Sequence, residues 1–554
     1  MSPALADELA KTALDTYSAI SCKGGKPSRR SNGQPEWTVL AAFCVFRSRE
    51  EDEEGRWDVR CVSIGTGLKA LPHARLPVHG DVLHDSHAEV IARRGFKLWL
   101  YGELEQSSRA EEDSLLERVE GSGDEAEWRL KHGWQVGMYI STLPCGDAST
   151  YLLALQAALG DATAASETAP SLTRPTPVQS PSDSTPTTLH PSLSTALSLG
   201  LSLSRSSPSP AASPSSSCAP EPDVSAPSVL RGRLNYSSLS TLRTKPGRAD
   251  SPPTTSHSCS DKVAMWALLG AQGGLLSALG MGRIVVQVLV VGDEGVPKEE
   301  GEREKVRNEV RRAVGGRLEP WARQIGLSEQ EFAVSEVHWT SRVFEHARAA
   351  VCEREGVEKE AVAGCAESLS YVANASPAVE VITNGIRQGA SSKRKTGEPL
   401  GPKSRSRLSK LSLFQRHLAV QEQLAAASPP SASGVLFPLS ASSHGVPYLY
   451  RFPSPSPAAS YFSLKHPTLP FSPPSPPLPP PPLSSTLPPS RRYQLLKSLV
   501  RQKPPVAHGD ELTRTKGEAG REAGPFSAWL VSGREWESFD AEGHVVVSEA
   551  EQSR

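Results

Sequence analysis

His87, Ala88 and Glu89 stand in the run LHDSHAEVIARRGF, where an extended segment gives way to a helical apolar period. A neutral imidazole is a good zinc ligand. A carboxylate two residues further on can exchange protons with a water held at that metal without joining the ligand set. An ion that activates water needs three protein ligands and one open position. Pro144-Cys145-Gly146 supplies a thiolate at a turn, again before a helical period. The third donor is not local, because position 148 is alanine. The next plausible thiolate is Cys259, in SCSDKVAMWALLG; His257 is an alternative that spacing leaves open, and Cys218 lies deep in a Ser/Pro-rich stretch that suits a ligand poorly. Amide groups and the dipole at a helix start favour thiolate over thiol. Each feature alone has a blander reading: a surface-helix histidine and carboxylate, a buried cysteine at a turn, an inert core cysteine.

The pattern His-x-Glu is one half of the zinc nucleobase-deaminase signature, whose other half reads Pro-Cys-x-x-Cys. Here that second half is split. The elements that must bring its parts together read as an α/β domain with a central sheet. Helices are expected over 6–20, 87–103, 147–159 and 260–279, strands over 36–48, 58–66, 135–141 and 283–291, and ordered structure over 406–426. Residues 104–130 read as a charged helical or looped excursion, 297–328 as an exposed helical stretch, and 366–383 as ordered.

Sixty basic and 61 acidic residues give a net charge of -1, which excludes a globally basic nucleic-acid coat but not a local basic patch. The 48 prolines exceed what one compact domain uses. They mark a Ser/Thr/Pro-rich disordered insert over 161–228, densest to 226, and a proline-rich tract over 453–490 that would form a polyproline II spacer and suits a polyproline-binding partner. The eight cysteines form no secretory framework, and the chain shows neither a signal peptide nor an apolar run of membrane-spanning length. A soluble cytoplasmic or nuclear protein is expected, with no membrane contact and no obligate protein partner.

Five segments in order resemble the catalytic domain of the adenosine-to-inosine RNA-editing deaminases, which comprise tRNA-specific enzymes and the ADAR enzymes for double-stranded RNA. They are Glu36 to Ala41, Asp85 to Arg94, Ser141 to Ser149, Leu242 to Arg248 and Ser258 to Lys262. The resemblance implies a cytidine-deaminase-like sheet flanked by helices and extended by a helical C-terminal part. That single domain would be strongest over 36–160 and 229–292, would continue over 293–452, and would end in an element at 491–540. It also implies the ligand set His87, Cys145 and Cys259, with Glu89 as proton shuttle.

Members of this family hold inositol hexakisphosphate in a buried cage of cations and aromatics. The matching positions are Lys69, Arg93, Arg94, Lys262, Trp266 and Gln272, then Tyr461 with Lys465, Tyr493 with Lys497, and Trp529. Clustered buried cations require a compensating anion. The family's Arg-Trp-Asn is Met265-Trp266-Ala267 here, its threonine before Lys69 is Leu68, and its late Trp-Val-Glu-Lys is Trp529-Leu530-Val531-Ser532.

The chemistry needs the base outside its stack, and an anticodon loop offers unpaired bases cheaply. No double-stranded RNA-binding domain is recognisable. The resemblance therefore points to the tRNA-specific branch, whose substrate is adenosine 37, with release of ammonia. Editing of duplex RNA, and a catalytically inactive RNA-binding protein, are the alternatives. Phosphate contacts are expected from Arg231, Arg233, Arg243, Lys245 and Arg248, and from Lys393, Arg394, Lys395, Lys403, Arg405, Arg407 and Lys410. A free nucleoside or cytidine deaminase uses similar chemistry in a much smaller domain.

Overall fold

Leu40 to Phe46 are all fully buried, because the strand they form is covered on both faces. The computed structural model describes residues 3–49, 57–109, 113–120, 126–156, 229–232, 238–245, 251–329, 331–332, 334–391, 393–427, 460–466, 489–502, 524–530 and 534–546. The insert at 161–228 and most of the 453–490 tract lie outside them.

In chain order, helix α1 (Pro3–Ala19) precedes β1 (Glu36–Trp37), β2 (Leu40–Ser48), β3 (Trp57–Thr66), β4 (Leu68–Ala70) and β5 (Asp85–His87). Helix α2 (Ala88–Ser108) leads to β6 (Leu116–Glu120), β7 (Ala126–Leu130) and β8 (Gln135–Ile140). A helix α3 over 147–156 ends that part. Then come β9 (Leu230–Arg231), β10 (Arg243–Thr244), α4 (Cys259–Leu269), α5 (Gly273–Ala278), β11 (Val286–Gly292), α6 (Glu300–Val314), α7 (Glu319–Gln324) and β12 (Glu336–Thr340). The remainder is α8 (Arg348–Glu355), β13 (Ala363–Gly364), β14 (Glu367–Val372), β15 (Val379–Thr383), β16 (Ile386–Arg387), α9 (Lys410–Ala427), α10 (Tyr461–Lys465) and α11 (Pro489–Val500).

Eight strands form one sheet in the order β12-β11-β8-β2-β3-β14-β15-β16. The β12-β11-β8 side is parallel and the rest antiparallel. Alternation along β2 divides the core: Ala41, Phe43 and Val45 pack with α2 and α4, while Leu40, Ala42, Cys44 and Phe46 pack with α1. This is the expected α/β architecture, with helices on both sheet faces and a helical C-terminal extension.

Three local expectations change. Residues 36–48 are not one strand, because Glu36–Trp37 leaves the sheet to pair with β13, and Trp37 packs beneath the Arg348 guanidinium at 5.5 Å. The excursion over 104–130 continues α2 to Ser108 and then forms the β6–β7 hairpin, whose Leu116, Trp128 and Leu130 pack on the core. Its charges lie between those apolar residues and mask a period of two. The helix over 260–279 is broken into α4 and α5, since Gly270 (φ 89°) and Gly273 (φ 74°) adopt left-handed conformations.

Candidate metal and anion centres

Two glycines let the start of α2 press onto the sheet. A Cβ on Gly65 would stand 2.4 Å from the Ala88 carbonyl oxygen, and one on Gly67 (φ +140°) 2.1 Å from that of Ser86. His87 therefore caps α2 at the end of β5, and Glu89 lies buried in the first turn. The Asp85 Oδ1 atom accepts the His87 amide at 3.0 Å and the His87 Nδ1–H at 2.8 Å. The proton on Nδ1 leaves Nε2 as the ring's free acceptor.

Cys145 and Cys259 meet through their loops. The Cys259 amide donates to Cys145 Sγ at 3.3 Å, and the Ser260 amide and hydroxyl donate to the Cys145 carbonyl at 3.0 and 2.9 Å. Gly146 (φ +100°) is required, because a Cβ there would fall 2.2 Å from Ser258 Oγ. Cys259 opens α4 behind the Ser258 cap, and Cys145 sits two residues before α3. The Cys259 thiol, ahead of the Lys245 ammonium and His87, holds the Cys145 thiol down at about 6. Burial pushes Cys259 well up. The charge of Glu89 is felt at both sulfurs.

Lys245 was expected at phosphates but is buried, 2.8 Å from Asp85 Oδ2 and 3.2 Å from Cys259 Sγ. Burial works against its charge, but Asp85 and then Cys259 hold its pKa above the ordinary lysine value. Lys262 donates to the same Asp85 oxygen and to Ser256 Oγ at 2.7 Å. Against its burial, Lys245, Lys262 and His87 keep Asp85 ionised well below the carboxylate range.

His257 is committed elsewhere. Its Nε2 accepts the Leu530 amide at 2.8 Å, so its proton sits on Nδ1, and its ring stacks on Trp529 with centroids 4.1 Å apart. It offers no lone pair to an ion.

Among the described residues, no three His, Cys, Asp or Glu side chains close into a metal-holding group. The donor chemistry nevertheless fits zinc: two apposed thiols, one drawn toward thiolate, beside an imidazole fixed by a carboxylate.

A second set of buried charges lies within electrostatic reach of the first, since Asp85 is felt at Arg94. The Arg93 guanidinium stands 4.9 Å over Trp266 and donates to the Ala271 carbonyl at 2.9 Å. Arg94 donates to the Leu408 carbonyl. Lys465 and Lys410 both pair with Glu537, the latter at 3.0 Å, and Lys497 donates to the Lys465 carbonyl at 2.9 Å. Burial lowers Arg93 to about 10, Lys410 to about 8 and Lys497 to about 7, and pushes Lys97 well down beside Arg93 and Arg94. His84 is likewise pushed well down, by burial and then by Lys410 and Arg94. Such a set around one carboxylate, Glu537, fits a buried polyanion.

Lys69 and Gln272 stand apart from this set, whereas the expected aromatics Trp266, Tyr461 and Trp529 lie against its cations. Lys69 is exposed on β4, so its ammonium is hydrated outside the buried set. Gln272 is spent within the fold, donating to the Leu269 carbonyl and Ser277 Oγ and accepting the Ile284 amide. Trp529 stacks on His257 and lies beneath Arg501 at 5.1 Å. Tyr461 stacks on Phe539 with the Lys465 ammonium 5.4 Å over its ring, and Tyr493 lies against Gly274 with its charge felt at Arg93. Met265, in place of the family's arginine, is a buried core residue. Asp85, Lys97, Lys410, Arg501 and Glu537 join these centres without having been predicted there. Asp85 was legible only as the residue two before His87.

Most expected phosphate contacts turn inward. Arg243 is fully buried, its guanidinium donating to the Gly232 and Ser238 carbonyls. Arg231 donates to the Ser251 carbonyl, Arg394 pairs with Asp81 at 3.0 Å, Arg405 donates to Gln415 and Arg407 to the Ala378 carbonyl. These cations find fixed acceptors inside the fold. Lys393, Lys395 and Lys403 stay exposed, and Arg233 and Arg248 lie outside the described residues.

Residues 63–437 match the family described as the adenosine-deaminase (editase) domain. The chain is similar to the tRNA-specific adenosine deaminase 1 of Mus musculus, 28% identical over 466 residues that cover 74% of this chain and 87% of that protein. It is 28% identical over 464 residues to the protein of the same name from Homo sapiens, with 74% and 87% covered. With the one from Saccharomyces cerevisiae it shares 30% identity over 264 residues, 47% of this chain and 52% of the relative.

Proposed function

The chain belongs to the adenosine-deaminase (editase) domain family, whose activity is hydrolytic deamination of adenosine in RNA, and from that premise we propose that its substrate is adenosine 37 of a tRNA. What supports the tRNA assignment is the similarity to enzymes named for tRNA over most of their length. What supports the site is the apposition of Cys145 and Cys259, each close to a helix start, with the charges of His87 and Glu89 felt at Cys145.

In this reading His87, Cys145 and Cys259 hold one zinc ion. Zinc, when bound, supplies the Lewis acidity that brings deprotonation of water near neutral pH. Glu89 takes the proton from the attacking water and delivers it to N1 of the adenine as C6 becomes tetrahedral. Glu89 then takes the proton of the new C6 hydroxyl and passes it to the exocyclic amine as the C6–N bond breaks, so that water and adenosine become inosine and ammonia. Asp85 keeps the His87 proton on Nδ1, and Lys245 offsets the charge of the thiolates. The cation cluster holds inositol hexakisphosphate through Arg93, Arg94, Lys465 and Lys497, with Lys97 and Lys410 beside them. Asp85 connects the two centres, since Lys245 bonds both Asp85 and the Cys259 thiol while the Asp85 charge is felt at Arg94.

Assay of the purified chain on tRNA, duplex RNA and free adenosine tests the substrate. Inosine at position 37 of tRNA is expected. Turnover on duplex RNA alone would replace this reading with an ADAR-like one, and no turnover by zinc-loaded protein would leave an inactive RNA-binding fold.

A further inference from the structure

We propose that Arg317 is a positioning residue that locks the two thiol-bearing loops together through the carboxylates of Asp147 and Asp261. The proposal rests on the metal reading above for its consequence, but not for its geometry.

Asp147 follows Cys145 by two residues and Asp261 follows Cys259 by two, and both carboxylates are fully buried. Arg317 reaches between them from the 3₁₀ turn Gly316–Leu318, which follows α6. Its Nη2 donates to Asp261 Oδ1 at 2.6 Å, and its Nη1 lies 3.6 Å from Asp147 Oδ2. The guanidinium is itself buried and covered by the Phe526 ring at 5.1 Å. Asp147 Oδ2 also accepts Arg312 Nη1 at 2.7 Å, and its Oδ1 accepts the Ser240 amide at 3.1 Å, while Asp261 Oδ2 accepts Ser258 Oγ at 2.7 Å.

One planar cation thus fixes the relative position of two helix starts that are more than a hundred residues apart in sequence. Without it, the buried Asp261 carboxylate loses the guanidinium that neutralises it and Asp147 is left to Arg312, so the two loops lose the cation they share. Lysine, with a single point charge, can satisfy one carboxylate at a time.

The full chain carrying Arg317→Met or Arg317→Lys separates this from general stability. Zinc release to a chromogenic chelator should be faster by about tenfold in Arg317→Met, the scale of lost outer-sphere support, and intermediate in Arg317→Lys. Independently of zinc, the metal-stripped wild type should close a Cys145–Cys259 disulfide rapidly with diamide. Arg317→Met should close it several-fold more slowly at unchanged far-UV circular dichroism. If Arg317→Met does not fold, Arg317→Lys and Asp147→Asn carry the same two measurements. Wild-type zinc release and wild-type disulfide closure in folded variants would overturn the proposal. A wild-type protein that binds no zinc would overturn the metal reading, while the disulfide rates would still decide the role of Arg317.

Discussion

The Asp85 carboxylate accepts the His87 Nδ1–H at 2.8 Å, two residues back along the same strand. Its other oxygen accepts Lys245 at 2.8 Å and also Lys262, so one buried carboxylate faces the imidazole on one side and two ammonium groups on the other. Asp85→Asn keeps the shape and removes the charge. Zinc affinity should fall about 10–100-fold, measured by chelator competition. Wild-type affinity in the folded variant would show that the imidazole needs no such partner.

Glu89→Gln should retain zinc and tRNA binding and lose inosine formation by about 10²–10⁴-fold, or more where one group serves several proton transfers. Zinc content, affinity for an anticodon stem-loop and single-turnover yield should be read from one preparation. Loss of zinc together with activity would make Glu89 a ligand or a structural residue.

The cation cluster makes stability depend on pH. Burial lowers Lys497 to about 7 and Lys410 to about 8, among Lys465, Arg501, Arg94, His466 and Glu537. In the unfolded chain both lysines stay protonated to the ordinary lysine value. Between those limits the unfolded state binds more protons than the folded one, so the anion-free protein gains stability as pH rises from about 7 toward 10, and the cost is fully present below that window. A polyphosphate favours the charged lysines. Inositol hexakisphosphate should therefore raise Tm more at about pH 7 than at about pH 9. An equal or larger shift at the higher pH would contradict the assignment.

Joining residue 160 to residue 228 through a short flexible linker should preserve zinc content and deamination. The intervening Ser/Thr/Pro-rich sequence lacks the apolar content that ordering requires. Retained folding with lost turnover on tRNA, but not with lost zinc, would assign the insert to substrate handling.

His87, Glu89 and Cys145 stood out in the sequence because a ligand's chemistry and a helix start are local properties, whereas Cys259 was chosen over His257 only by the family resemblance. Half of the eight-stranded sheet was legible for the same reason: β2, β3, β8 and β11 are largely apolar runs of strand length, whereas β12, β14, β15 and β16 were not read as strands. The side chains around the site were not legible. Asp85, Lys97, Lys245 and Arg317 are ordinary charged residues in sequence, and nothing local tells a hydrated lysine from a buried one. Lys245 and Arg243 read as phosphate contacts and are core residues, whereas Lys69 read as a cage residue and is exposed. What decides each case is whether packing removes the charge from water and which opposite charge then lies within reach. Those partners are distant in sequence, as Asp85 is from Lys245 and Asp147 from Arg317, so only the tertiary structure brings them together.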